Sequence, residues 1–137
     1  QKKQLIKICQ LKNITKYVDF KGQVDDVHTF MKNADVFVLT SLWEDPGFVI
    51  VEAGFSNLFV ISSDCDNGPK EFLNNGDGGI LFKSNKENEL FNSLVKFENM
   101  DEIEKLKKKT RLKKKIKEYS IFSHFKVLNV ILGKMYK

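Results

Sequence analysis

The chain has 137 residues, 42% hydrophobic and 30% charged, with 8 glycines, 2 prolines and 2 cysteines. That make-up is one globular domain with enough apolar residues for a sizeable core, which excludes a disordered or fibrous protein. No apolar run approaches the roughly eighteen residues that cross a bilayer, and Gln1-Lys2-Lys3-Gln4 leads into no signal-peptide core, so neither a spanning nor a secreted chain is expected.

In chain order, Leu5, Ile8, Cys9 and Lys12 recur at helical spacing and predict an amphipathic helix over 2 to 13. Tyr17-Val-Asp-Phe20 reads as a short strand closed by Lys21-Gly22. A short helix over 25 to 33 follows, with Val27, Phe30 and Met31 on one face and Asp25 and Asp26 in its first turn, where the dipole favours acids. Val36-Phe-Val-Leu39 and Leu58-Phe-Val-Ile61 are apolar on both faces and too short for helices, as central strands of a parallel sheet are. Between them, 46 to 56 reads as a helix apolar nearly all round, hence sandwiched. A short helix at 69 to 73, a glycine turn at 76 to 79, a strand at 80 to 82 and helices over 87 to 97, 100 to 118 and 122 to 135 complete the chain. Strands alternating with helices predict an α/β domain with a parallel sheet.

Charge is unevenly spread. Residues 1 to 82 hold 8 basic and 11 acidic side chains, a net of −3, whereas 83 to 137 hold 15 and 7, a net of +8. Most of the excess is the run from Lys105 to Lys117, which suits a solvated helix face or an anionic membrane surface, with Ile103, Leu106, Thr110 and Ile116 as a thin apolar stripe. No aromatic interleaves it and no nucleic-acid-binding pattern accompanies it, so nucleic acid is not an expected partner. Cys9 and Cys65 form no CxxC pair, and His28 and His124 have no partners at zinc-site spacing, so a reduced, cytosolic, zinc-free protein is expected. The first residue is Gln rather than Met, which suggests a piece of a longer polypeptide.

Both prolines, Pro46 and Pro69, stand after a strand and before a helical stretch, at the expected N1 position of each helix. In a parallel α/β sheet those helix starts lie at the carboxyl edge, where ligands bind, and Gly47 and Gly68 leave both turns open to close approach. Glu44 precedes the first of these helices. Glu52 is nearly the sole polar group on it and needs a partner, either a hydroxylated ligand or a cation elsewhere in the fold. Asp64-Cys65-Asp66 matches a D-x-D metal motif, but no further carboxylates accompany it and no metal is expected. Gly76-Asp-Gly-Gly79 is neither a P-loop nor a dinucleotide fingerprint.

The stretch Ala34-Asp-Val-Phe-Val-Leu-Thr-Ser-Leu-Trp-Glu-Asp-Pro-Gly-Phe-Val-Ile-Val-Glu-Ala53, then Phe59-Val-Ile-Ser-Ser-Asp-Cys-Asp-Asn-Gly-Pro-Lys-Glu-Phe-Leu73 and Gly79-Ile-Leu-Phe82, resembles the C-terminal domain of glycosyltransferase family 4, group 1. Glu44 and Glu52 are spaced as that family's E-x(7)-E pair, and the resemblance covers about residues 1 to 97. It implies the C-terminal half of a GT-B enzyme: a Rossmann-like parallel sheet flanked by helices, truncated at its N-terminus. Residues 1–137 would be a single donor-nucleotide-binding domain, with 1–97 as the α/β body and 98–137 as C-terminal helices. The implied chemistry is retaining, metal-independent transfer of a hexose or N-acetylhexosamine from a nucleoside-diphosphate sugar to a glycan or lipid-linked acceptor, in cell-surface polysaccharide or glycolipid synthesis. Glu44 would be catalytic and hold the donor sugar, and Glu52 would hold the ribose. The Gly47 and Phe48 amides would meet sugar or pyrophosphate, with Pro46, Gly68 and Lys70 completing the donor site. Such an enzyme is expected in the cytoplasm or peripherally at the inner face of an anionic membrane. Without the N-terminal acceptor domain the chain alone is expected to be inactive. The alternative is a non-catalytic nucleotide-binding or interaction module that keeps only the fold. Ser56-Asn57-Leu58 departs from the family's usual Gly-x-Pro, so the turn after the helix is expected to differ.

Overall fold

A computed structural model describes residues 1 to 135. Its elements are α1 (Lys2–Leu11), α2 (Val27–Lys32), β1 (Val36–Leu39), α3 (Val49–Phe55), β2 (Phe59–Ser63), α4 (Pro69–Phe72), β3 (Ile80–Phe82), α5 (Glu87–Asn99), α6 (Glu102–Ile116) and α7 (Ile121–Met135). The strands form one parallel sheet in the order β1-β2-β3, with Val36 opposite Phe59 and Ile61 opposite Ile80. A parallel neighbour is reached only by a crossover, so α3 and the α4 segment cross between the strands, and every strand ends on the same edge.

The central strand is β2, whose five residues are all buried. Its alternation divides the core. Phe59 and Ile61 face Ile80, Phe82 and Met100 on the α5 side, where the Phe59 and Phe97 rings lie 4.8 Å apart. Val60 faces Ile50, Val51, Ala53, Leu112 and Ile116 on the α3 and α6 side. Each fully buried side chain of this size contributes about 1.5–3 kcal/mol.

Three expectations are corrected. Val36–Leu39 is an edge strand of this sheet and half-buried throughout, so its apolar run does not make it central. Among the described residues Tyr17 to Phe20 pairs with no strand: Thr15–Tyr17 is a 3₁₀ turn, and Tyr17 is 75% exposed. The left-handed Asn13 ends α1, and the Ile14 amide bonds back to the Cys9 carbonyl, which carries the chain away from the sheet. Asp26 lies before α2 rather than in its first turn. It is the N-cap, accepting from the Thr29 amide at 3.3 Å, and the Thr29 hydrogen bonds hold its carboxyl below the usual range.

The basic helix α6 is more structural than its composition suggests. Leu112 and Ile116 are completely buried, whereas Ile103 and Leu106, expected on the apolar stripe, are largely exposed. Two glycines let α6 approach. A Cβ on Gly54 of α3 would lie 2.7 Å from Ile116 Cδ1, and one on Gly78 would lie 3.1 Å from the Leu112 Cα. Lys108 then donates from Nζ to the Gly76 and Gly79 carbonyls at 2.7 and 3.1 Å, and burial lowers its pKa. Lys105 pairs with Glu102 at 2.8 Å and lies over the Phe97 ring. Lys115 pairs with Glu118 at 2.6 Å. Beyond α6, α7 leaves large apolar side chains such as Phe122 and Phe125 exposed. No helix among the described residues is long and apolar enough to cross a membrane.

The α3–α6 contact makes Gly54→Val a test of the core. The new side chain would push Leu112 and Ile116 of α6 away from α3, and overpacking of this kind costs about 1–3 kcal/mol. Denaturant unfolding is expected to show a lowered midpoint with little change in slope; an unchanged midpoint would mean that α6 is free to move away from α3.

Candidate functional site

Two loops leave the carboxyl edge and run side by side. Residues 40 to 48 connect β1 to α3, and residues 64 to 68 connect β2 to α4. Ser63 Oγ donates to the Ser41 carbonyl at 2.6 Å, and Trp43 and Asp66 form a single parallel bridge. The tightest contact is between Pro46 and Gly68. Gly68 has φ +122°, and a Cβ built there would fall 1.7 Å from the Pro46 carbonyl oxygen. Only glycine permits that approach.

Within the first loop the Asp45–Pro46 peptide is cis, and Gly47 is buried with φ +81°. A Cβ on Gly47 would meet the Glu44 side chain at 3.2–3.4 Å, so the bare glycine lets Glu44 fold back over the turn. Helix α3 starts at Val49, with Phe48 as its N-cap. Pro46 is therefore not at N1, as the strand-proline-helix pattern suggested, but in the turn that precedes the helix. Pro69 does stand at the start of its helix, although α4 is a single turn with a small dipole. The Phe48 ring sits 5.9 Å from that of Phe72, and Tyr119 meets Phe72 edge-on at 4.7 Å. The Tyr119 hydroxyl donates to Glu71 Oε1, and burial followed by this bond raises its pKa.

Glu52 lies one turn into α3 and is exposed, between the buried Val51 and Ala53. It takes part in no ion pair among the described residues, so no cation of those residues neutralises it. The helix is sandwiched on the Ile50, Val51, Ala53 and Gly54 side and open at Glu52. Glu44 is half-buried and likewise unpaired among the described residues. Asp64, half of the D-x-D match, is already engaged. Its Oδ1 accepts from the Ser84 amide at 3.0 Å and its Oδ2 faces Lys70 Nζ at 3.6 Å. The sequence contained this pairing only as an acid and a base six residues apart.

The structure thus gathers Glu44, Pro46, Gly47 and Phe48 with Gly68 on adjoining loops, with Lys70 at the start of α4, and places Glu52 on the helix that follows the first loop. The result is an open shelf rather than a closed pocket, with Trp43 59% and Phe48 52% exposed. A groove of about 670 Å³ lies at the opposite, amino edge, beside Asp35 and Leu58. Its charged rim includes the Lys105–Glu102 pair, so part of its charge is already neutralised, and none of the loops of the carboxyl edge reaches it.

A parallel sheet with carboxylates, glycine turns and a lysine converging on its carboxyl edge is the architecture of a nucleotide-binding α/β domain. The chain belongs to the glycosyl transferases group 1 family, whose model matches residues 1–128. It is 36% identical over 72 residues to an uncharacterized glycosyltransferase of Methanocaldococcus jannaschii, which covers 53% of this chain and 18% of that protein. It is 34% identical over 84 residues to the UDP-Gal:alpha-D-GlcNAc-diphosphoundecaprenol alpha-1,3-galactosyltransferase of Escherichia coli, 61% of this chain and 21% of that one. Among solved structures, TarM superimposes with a TM-score of 0.79 at 24% identity, over 93% of this chain and 26% of TarM. The fold is therefore that of GT-B glycosyltransferases, and the chain corresponds to a C-terminal-type part of them. It spans about a fifth of the length of the curated relatives it matches.

The Pro46–Gly68 contact separates two causes of glycine dependence. Gly22→Ala, at φ +71° with nothing within 4 Å of the new Cβ, is expected to cost about 1 kcal/mol from backbone strain alone. Gly68→Ala must in addition push the two loops apart and is expected to cost at least about 1 kcal/mol more. Equal losses in thermal unfolding would show that the loops are not held against each other.

Proposed function

We propose that this chain is the donor-binding domain of a retaining glycosyltransferase that moves a hexose or N-acetylhexosamine from a nucleoside-diphosphate sugar to a glycan or lipid-linked acceptor, in cell-surface polysaccharide or glycolipid synthesis. The observation that carries this reading is the pair of carboxylates, Glu44 and Glu52, without an ion-pair partner among the described residues and displayed with Lys70 around the Pro46–Gly68 contact. Carboxylates accept from sugar hydroxyls, a lysine meets phosphate charge, and backbone amides of a glycine turn add neutral donors. The name of the Escherichia coli relative describes transfer from UDP-galactose to a lipid-linked acceptor, which supports the same chemical class here.

In this reading Glu52 holds the ribose and Glu44 holds the transferring sugar. As the bond from the anomeric carbon to the diphosphate breaks, negative charge grows on the leaving oxygens, which Lys70 and the Gly47 and Phe48 amides stabilise. The acceptor oxygen bonds to the anomeric carbon on the same face and passes its proton to the departing diphosphate oxygen. No metal is assigned to this step, because the Asp64 carboxylate is already engaged by Ser84 and Lys70. The open shelf and the exposed side chains of α7 fit a second wall, an acceptor-binding domain that the longer relatives have room to carry.

Peripheral contact with an anionic membrane belongs to the same proposal. Lys107, Arg111, Lys113, Lys114 and Lys117 are exposed and remain available, unlike Lys105, Lys108 and Lys115. Each contributes about 1 kcal/mol near an anionic bilayer. Replacing Lys113, Lys114 and Lys117 by Gln is expected to reduce co-sedimentation with phosphatidylglycerol vesicles; unchanged sedimentation would return α6 to a solvated face.

The two glutamates give the sharper test. Glu52→Gln is expected to weaken both UDP or GDP and the corresponding nucleotide sugar by about 1.5–3 kcal/mol, since both ligands contain the ribose. Glu44→Gln is expected to leave the free diphosphate nearly unchanged and to weaken the nucleotide sugar. Calorimetry in the presence of a chelator reads both, with unfolding midpoints as controls. Equal effects on the free diphosphate would refute the division of roles, and binding by neither parent nor variants would favour a module that keeps only the fold.

A further inference from the structure

Asp64 is fixed more firmly than an acid in a surface loop needs to be. Its amide donates to the Phe82 carbonyl at 2.8 Å and its Oδ1 accepts from the Ser84 amide at 3.0 Å, so both its backbone and one carboxylate oxygen are tied to the end of β3. The carboxylate is about 30% exposed, and its second oxygen points to Lys70 Nζ at 3.6 Å. Lys70 lies in the first turn of α4, two residues after the Gly68 that packs on Pro46. A single-turn helix cannot orient a long side chain by itself, whereas a carboxylate anchored on the neighbouring strand can.

Resting on the donor-site reading above, we infer that Asp64 is a positioning residue that holds the Lys70 ammonium between turnovers and competes with the bound diphosphate for it. With no ligand, the pair keeps Lys70 at the shelf. When a diphosphate arrives, its oxygens take over the ammonium while the Asp64 charge stays close, fixed by Ser84. Giving up the Asp64–Lys70 pair offsets part of the attraction, which weakens the hold on the free diphosphate, the product that must leave before the next donor enters. The D-x-D match then serves charge balance through Lys70 rather than metal ligation.

The sign of one substitution decides this. Asp64→Asn keeps an oxygen for the Ser84 amide and removes the charge. A residue needed only for loop structure would, when replaced, weaken binding; a competitor, when replaced, tightens it. In the 137-residue chain, Asp64→Asn is expected to tighten UDP binding about fivefold at low salt, the scale of one partly exposed charge, with the gain shrinking as salt is raised. In a Lys70→Gln background the same substitution is expected to give less than half of that gain. Unchanged or weaker UDP binding by Asp64→Asn, or an equal gain without Lys70, would overturn the inference. As a measurement on the unsubstituted chain, UDP is expected to shift both the Lys70 Cε and the Asp64 carboxyl carbon resonances. Movement of Lys70 alone would also overturn it. If the parent chain binds neither UDP nor GDP, the donor-site reading itself falls and this inference falls with it, an outcome distinct from a parent that binds and a variant that does not differ.

Discussion

The functional edge of this domain depends on a single backbone contact, the Pro46 carbonyl resting where any side chain at position 68 would begin. A glycine with φ +122° satisfies the contact without a clash, so the loops after β1 and β2 lie side by side instead of splaying. Everything proposed to bind the donor is placed by it. Glu44 folds over Gly47 on one loop, Lys70 rises from the short α4 on the other, and the Phe48 ring reaches across to Phe72. The Ser63–Ser41 hydrogen bond and the Trp43–Asp66 bridge continue the same alignment away from the contact point.

A second glycine device holds the opposite side of the sheet. Gly54 and Gly78 allow α6 to sit against α3 and the 76–79 turn, and the helix answers with two apolar side chains and a lysine whose ammonium caps two carbonyls. Lysine suits this place because its stem packs while its head finds acceptors at the end of a turn. The run from Lys105 to Lys117 is thus divided by helical geometry: Lys105, Lys108 and Lys115 serve the fold, Lys109 is half-buried beside the amino-edge groove, and Lys107, Arg111, Lys113, Lys114 and Lys117 face solvent.

The sequence reading located β2, the site loops and the helices well because their signals are local. Phe59 to Ile61 is apolar on both faces, Pro69 marks the start of a turn of helix, and the spacing of Glu44 and Glu52 is itself the family pattern. What it missed depended on partners far along the chain. Whether Val36–Leu39 is central or at an edge is decided by which strands pair, and Tyr17 to Phe20 has strand composition but no strand beside it. Pro46 looked like a helix start because nothing local distinguishes a proline in a turn from one at N1. The Asp64–Lys70–Ser84 arrangement joins two strand ends, and the burial of Leu112 in a lysine-rich run is visible only once Gly54 and Gly78 are known to face it.

The central claim is that the carboxyl edge, not the groove at the amino edge, is where the nucleotide binds. Amide chemical-shift mapping of the isotope-labelled chain titrated with UDP or GDP tests it most directly. The account predicts that the largest shifts fall within residues 43 to 52 and 64 to 71. Largest shifts around Asp35, Asn57 and Lys109, or no shifts at saturating nucleotide, would contradict it.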